Sequence, residues 1–269
     1  MNSVVIRLII TMALLFTCLL GWGFVVVVQE QFFPAQASEA GLPKRESVEQ
    51  MDTPKSLLAL GDSLTRGTGD PQGKGYVGLV VEALEEQELS GEKISLFNWS
   101  IRGQTSGQLI AQLKETEMQR QLKTADLILL TIGGNDLFQG GQSLVELDPR
   151  RIGEIQKVYL KNLEEIFALL REFNQTATVY HIGLYDPFFE LESGPITSKF
   201  VRDWNYQSAE IAAKFPKIVA VPTYDLFELG VTDYLYSDQF HPNDLGYQLI
   251  AERLVSLIQR DGGGGERDE

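Results

Sequence analysis

A chain of 269 residues with 43% hydrophobic content can hold one large α/β domain or two small ones and build a substantial core, which excludes a disordered chain. A formal charge of −14 without any basic block argues against nucleic acid or anionic lipid surfaces as partners held by long-range electrostatics. The single cysteine, Cys18, lies in the N-terminal apolar stretch, so disulfides and cysteine catalysis are excluded from the globular part.

In chain order, residues 1–37 read as a membrane-targeting segment. Leu8 to Val28 carries no charge, follows Arg7 and precedes Glu30; its 21 residues match a spanning helix of about 20. Ala35-Gln36-Ala37 has the small-x-small form of a signal-peptidase site, so an uncleaved anchor and a cleaved export signal both stand, and either places the domain outside the cytoplasmic membrane. Leu15-Phe16-Thr17-Cys18 lacks the small residue that a lipoprotein signal needs before its cysteine and reads as part of the buried apolar run. Residues 38–54 are polar and aperiodic, a tether; residues 261–269, with four consecutive glycines, read as a disordered tail.

Residues 55–260 alternate between two patterns. Short apolar runs at Ser56–Leu60, Ile94–Asn98, Leu127–Ile132, Thr178–Gly183 and Ile218–Pro222 predict five strands buried on both faces. Between them the spacing is helical, as in Ile155, Tyr159, Leu163, Ile166, Leu170 and Phe173, and again in Tyr76–Leu89 and Leu245–Ile258. Strand alternating with helix predicts a three-layer α/β/α sandwich around a parallel sheet, with its site at the strands' carboxyl ends.

Each motif falls there. Gly61-Asp62-Ser63-Leu64 follows the first strand, Gly103 the second, Gly133-Gly134-Asn135-Asp136 the third, and Asp238-Gln239-Phe240-His241-Pro242 the fifth. A serine hydroxyl is a weak nucleophile that needs a base, and His241 is one of two histidines in the chain. The imidazolium formed when it takes the Ser63 proton needs a carboxylate on its other nitrogen, and Asp238 is placed for that. Pro242 and Asn243 suit the start of the last helix. The negative oxygen of a tetrahedral intermediate needs donors aimed at it, available as the Asn135 side-chain amide and the backbone N–H groups of Gly103 and Ser63.

These four blocks together resemble those of the SGNH (GDSL-type) lipase and esterase superfamily, in the same order and across the whole globular domain. The resemblance implies a flavodoxin-like five-stranded sheet, Ser63 as nucleophile, Asp238 and His241 completing the triad, and Ser63, Gly103 and Asn135 forming the oxyanion hole. It also implies hydrolysis of carboxylic esters or thioesters without a cofactor or metal; the substrate, whether a small molecule, a lipid or a glycan ester, is left open.

Other readings compete at individual residues. Ser63 can cap a helix, and His241 can be structural. His181, inside an apolar strand, reads as a core residue or one supporting the site from behind. Asp62 and Asp136 either order loop amides or merely favour helix starts. Gly133-Gly134 lacks the lysine of a phosphate loop. Tyr185-Asp186-Pro187-Phe188-Phe189 and Phe138-Gln139-Gly140-Gly141 overhang the expected site, as an acyl groove or as a plug. For the whole protein, the alternatives to a serine esterase are a catalytically silent binding module on the same fold and a metal-dependent hydrolase using Asp62, Asp136, Asp238 and His241, for which two histidines suit zinc poorly.

Overall fold

The computed structural model describes residues 55–87, 93–139 and 148–262, with positions 12 and 17 near the N terminus and side chains as far as 259. Apart from positions 12 and 17 the targeting segment, and with it the tether, the end of the tail and Gly140-Gly141, lie outside the described residues. The chain divides at Gln50/Met51, and the architecture below belongs to the second unit.

Five strands form the sheet: β1 (Ser56–Gly61), β2 (Ser95–Asn98), β3 (Leu127–Thr131), β4 (Thr178–Ile182) and β5 (Ile218–Val221). Their order is β2-β1-β3-β4-β5 and every pairing is parallel, the flavodoxin-like arrangement. The connections are α1 (Gly75–Gln87), α2 (Ser106–Leu113), α3 (Thr116–Thr124), α4 (Gly134–Phe138), α5 (Pro149–Phe173), α6 (Gly194–Ala212), α7 (Tyr224–Phe227), a 3₁₀ turn (Val231–Tyr234) and α8 (Asp244–Gly262). Among the described residues no helix is long and apolar enough to cross a membrane. The final helix runs to Gly262, two residues into the segment read as a tail.

Period-two side-chain alternation divides the core between the two faces of the sheet. Leu58, Leu60, Ile128, Leu130 and Val179 pack beneath α2, α3, α5 and α6, while Leu57, Ala59, Leu129, Tyr180 and Ile182 pack beneath α1 and α8. The continuous apolar runs of β1 and β3 follow from this, because both faces are covered. The long helix predicted from its spacing is present: Tyr159, Leu163, Ile166 and Leu170 are buried, Asp148 caps it by accepting from the Arg150 amide at 3.0 Å, and Pro149 opens it.

One expectation fails. The second run was read as buried on both faces, but Leu96 and Phe97 are each 39% exposed, because β2 is a four-residue strand at the edge of the sheet, where among the described residues it pairs with β1 alone. Apolar composition in so short a run does not distinguish an edge from a centre. Each strand also ends one residue from its sequence-based boundary or on it, within the fraying of element ends.

The sheet order reverses between β1 and β3, and the crevice outside that switch point is where an open α/β sheet binds its ligand. Ser63 leaves β1 at this place.

Candidate active site

Ser63 does not cap a helix: the next helix begins at Gly75, and residues 63–69 form consecutive turns, with Thr68 N donating to Ser63 O at 3.0 Å and Arg66 N to Asp62 O at 3.1 Å. Its Oγ instead lies 2.8 Å from His241 Nε2, across 178 residues of sequence. On the other side of the ring, His241 Nδ1 lies 2.7 Å from Asp238 Oδ2. The three side chains therefore form one unbroken hydrogen-bonded chain, the geometry that nucleophile activation requires.

Local structure accounts for the Asp238–His241 spacing. Gln239 takes a left-handed φ of 56°, which folds the chain back so that Asp238 Oδ1 accepts from the amides of Phe240 and His241, both at 3.0 Å. Partial burial of the Asp238 carboxylate opposes ionisation, but the hydrogen bonds from the His241 ring and these amides outweigh it and hold the pKa below its ordinary value. Asn243 caps α8 by accepting from Gly246 N at 3.0 Å, and its amide donates to Asp233 O at 2.9 Å. Tyr236 N donates to His241 O at 2.7 Å, and Tyr185 Oη to Phe240 O at 2.5 Å. The histidine thus rides on a loop braced from three directions.

Gly69 fits that loop closely. A Cβ there would stand 2.3 Å from Pro242 O and 3.2 Å from His241 Cβ. The spacing of the motifs carried no sign of this contact, because it joins the first and last loops of the domain.

The residues expected to supply the oxyanion donors, Ser63, Gly103 and Asn135, line the same cleft. Asn135 is the second residue of α4, which starts from the left-handed Gly133, where φ is 109°, and its Nδ2 donates one hydrogen to Gln104 O at 3.0 Å, leaving the second for a substrate oxygen. Gly103 has φ 75°, and a Cβ there would meet nothing within 4 Å. Glycine is therefore favoured at this position by its backbone conformation rather than by crowding within the protein.

Asp62 and Asp136, whose roles were open, both order loops. Asp62 is buried; its Oδ1 accepts from Leu64 N at 3.1 Å and from Thr131 Oγ1 at 2.8 Å, and Thr131 continues through Thr65 to Tyr76 at 2.7 and 2.6 Å. Asp136 accepts from Ser106 N at 2.9 Å and Ser106 Oγ at 2.5 Å, pinning the start of α2 behind Gly103. Neither network is legible from the sequence, since the bonds that close them, Ser106–Asp136 and Thr131–Asp62, join residues 30 and 69 positions apart. His181 is buried in the core with its ring edge-on to Phe167, as read, and burial lowers its pKa to about 4.

Burial raises the Asp62 pKa to about 6, with the hydrogen bonds from Thr131 and Leu64 and the attraction of His241 acting in the opposite direction. A folded-state value above the unfolded 3.8 means that the charged form is disfavoured in the fold. The penalty is absent below pH 3.8 and complete above about pH 6, where it reaches about 3 kcal/mol. Asp62→Asn, which keeps an acceptor for both donors, is therefore expected to match the wild type in urea-denaturation stability near pH 4 and to exceed it near pH 8. A difference that did not vary with pH would contradict this origin.

The overhanging aromatics serve as both plug and wall. Phe138 is buried, with edge-on contacts to Phe188 at 5.3 Å and Phe240 at 5.7 Å; the latter two are only partly buried and line the cleft. Phe189 turns to the other core. Among the described residues no group of three or more histidine, cysteine, aspartate or glutamate side chains is arranged to hold a metal ion.

A family model described as "GDSL-like Lipase/Acylhydrolase family" matches residues 59–249, which contain every site residue named above. The chain is 35% identical over 210 residues to the uncharacterized protein YpmR of Bacillus subtilis, covering 77% of this chain and 82% of that protein. It is 30% identical over 205 residues to the spore germination lipase LipC of Bacillus licheniformis, covering 73% and 92%. Among solved structures, the lipase Lip_vut3 from a goat rumen metagenome superposes with a TM-score of 0.67 at 28% identity, covering 79% of this chain and 98% of that one.

Proposed function

Because the chain belongs to the GDSL-like lipase/acylhydrolase family and is an ester hydrolase, we propose that Ser63 is its nucleophile, His241 its general base and acid, and Asp238 the carboxylate that holds the imidazolium. The observation that carries this reading is the continuous chain Asp238 Oδ2–His241 Nδ1 at 2.7 Å and His241 Nε2–Ser63 Oγ at 2.8 Å.

In the first half-reaction Ser63 Oγ bonds to the ester carbonyl carbon while its proton passes to His241 Nε2. The carbonyl oxygen becomes an oxyanion received by the N–H groups of Ser63 and Gly103 and the free Asn135 amide hydrogen. Collapse breaks the bond to the alkoxy oxygen, which takes the proton from His241 and leaves as the alcohol. Water then repeats the sequence on the acyl-enzyme, with His241 as base, releasing the carboxylic acid and restoring Ser63. Asp62, buried next to this centre, adds a second negative charge that favours the transient imidazolium.

Losing one oxyanion donor costs about 10² to 10³ in kcat. Asn135→Ala is expected to fall in that range with KM little changed, measured on a soluble chromogenic ester. A change confined to KM would remove Asn135 from the oxyanion hole. Labelling by a fluorophosphonate probe that survives Ser63→Ala would overturn the nucleophile assignment.

The lipases among the similar proteins support acyl esters as the substrate class. For location, we propose that residues 1–37 carry the domain to the outer side of the cytoplasmic membrane, supported by the uncharged run Leu8 to Val28 behind Arg7. Protease treatment of intact cells checks this: the domain is expected to be digested while a cytoplasmic marker survives.

A further inference from the structure

Two of the expected oxyanion donors depend on one loop, residues 99–104, which lies between β2 and α2. Gly103 offers its N–H from this loop, and Gln104 O accepts the hydrogen that orients the Asn135 amide, at 3.0 Å. Whatever holds the loop therefore sets both donors.

Its first half is held by the sheet and by the turns after Ser63. Trp99 N donates to Ala59 O at 2.9 Å and Ile101 N to Gly61 O at 2.8 Å, which carries the pairing with β1 past the end of β2. Arg102, an exposed side chain, donates from Nε to Thr68 Oγ1 at 2.9 Å. Gly103 has no packing of its own on the Cβ side, since a Cβ there would meet nothing within 4 Å. Its position follows from its neighbours.

The second half hangs on a buried pair of amides. Gln112, near the end of α2, donates from Nε2 to Trp99 O at 2.8 Å, and its Oε1 accepts from Gln104 Nε2 at 2.9 Å. Gln104 is 2% exposed and Gln112 6%. The Trp99 carbonyl can only accept, so the Gln112 nitrogen must face it; that turns the Gln112 oxygen toward the Gln104 nitrogen and fixes both amides. One side chain thus ties the first residue of the loop to the last, across Gly103.

Stability does not account for Gln104. Its Oε1 is buried with no hydrogen-bond partner among the described residues, and an orphaned acceptor destabilises by at least as much as one neutral hydrogen bond contributes. The bond that the side chain does make is the one that fixes the loop.

Resting on the oxyanion donors proposed above, we propose that Gln104 and Gln112 are positioning residues for the oxyanion hole: the pair holds the Gly103 N–H and, through Gln104 O, the Asn135 amide at the places that a tetrahedral oxygen requires. Neither residue lines the cleft. Their effect falls on the transition state, because the donors serve an oxygen whose charge develops only when Ser63 attacks.

The test uses Gln104→Met, Gln112→Met and the double variant of the full-length protein, and measures kcat and KM on a soluble chromogenic ester, inhibition by an alkylboronic acid, and the urea-unfolding midpoint. Methionine is unbranched like glutamine and has no strong hydrogen-bonding group. Each single variant is expected to lose about ten- to a hundredfold in kcat with KM little changed. Boronic acid binding should weaken by a similar factor, because the tetrahedral adduct on Ser63 presents an oxygen to the same donors. The double variant should fall no further than Gln112→Met, since the two amides act as one unit. Gln104→Met should keep a midpoint near that of the wild type, because the orphaned acceptor it removes offsets the Gln112 oxygen it uncovers. Should Gln112→Met fail to fold, Gln104→Met decides alone. Wild-type kcat in Gln104→Met, a loss confined to KM, a kcat loss without weaker boronic acid binding, losses that multiply in the double variant, or a Gln104→Met protein without a cooperative transition each overturns the proposal. Failure of the underlying donor assignment shows differently, as Asn135→Ala with unchanged kcat and unchanged boronic acid affinity.

Discussion

Ser63→Ala is expected to lower kcat on a soluble ester by about 10⁶-fold while leaving the unfolding midpoint within about one degree of the wild type. The magnitude is that seen when a protease triad loses its serine, and the residual rate comes from binding and the oxyanion donors. Little stability should be lost, because the side chain is small and its one described side-chain hydrogen bond is to the histidine ring. Asp238→Ala should be milder, about 10⁴-fold, since Asp238 orients and stabilises His241 without bonding to the substrate. Steady-state kinetics on both variants checks the ranking. Retention of a tenth of wild-type activity in Ser63→Ala would mean that another group attacks the carbonyl.

Gly61→Ala, two residues away, is expected to act through folding instead. Gly61 has φ 121°, and a Cβ there would stand 1.8 Å from Thr131 O and 2.9 Å from Thr131 N. Thr131 is its partner in the β1–β3 ladder and also donates to Asp62, so no flexible side chain can move aside to make room. The strands must separate at the switch point, taking the Asp62 network with them. A backbone clash together with a strained φ belongs with the most damaging substitutions, above about 4 kcal/mol. The expected result is a protein that is insoluble or lacks a cooperative urea transition. A Gly61→Ala protein with near-native stability would show that this close approach relaxes cheaply. The two substitutions separate the requirement for chemistry at Ser63 from the requirement for close backbone contact at Gly61.

Much of the site was legible because its chemistry is written in short segments. Gly61 to Leu64, Gly103, Gly133 to Asp136 and Asp238 to His241 each carry a recognisable set of residue types, and each follows a strand whose apolar run is continuous. Asp238 and His241 are three positions apart, so a single turn places one beneath the other. What was missed lies between segments. Thr131, Thr65 and Tyr76 are unremarkable as residue types and matter only through a hydrogen-bond chain behind Asp62. Gly69 gains its constraint from Pro242, and Arg102 its orientation from Thr68.

The sequence by itself determined the parallel α/β sandwich, the strand ends that carry the site and the residues expected to do the chemistry, because period-two and helical patterning and short-range turn geometry are local properties. Only the tertiary structure decided that β2 is an exposed edge and that Asp62 is buried against its ordinary preference for charge. Those features depend on which elements become neighbours. The strand order β2-β1-β3-β4-β5 brings together residues up to 179 positions apart, and no local pattern specifies such distances.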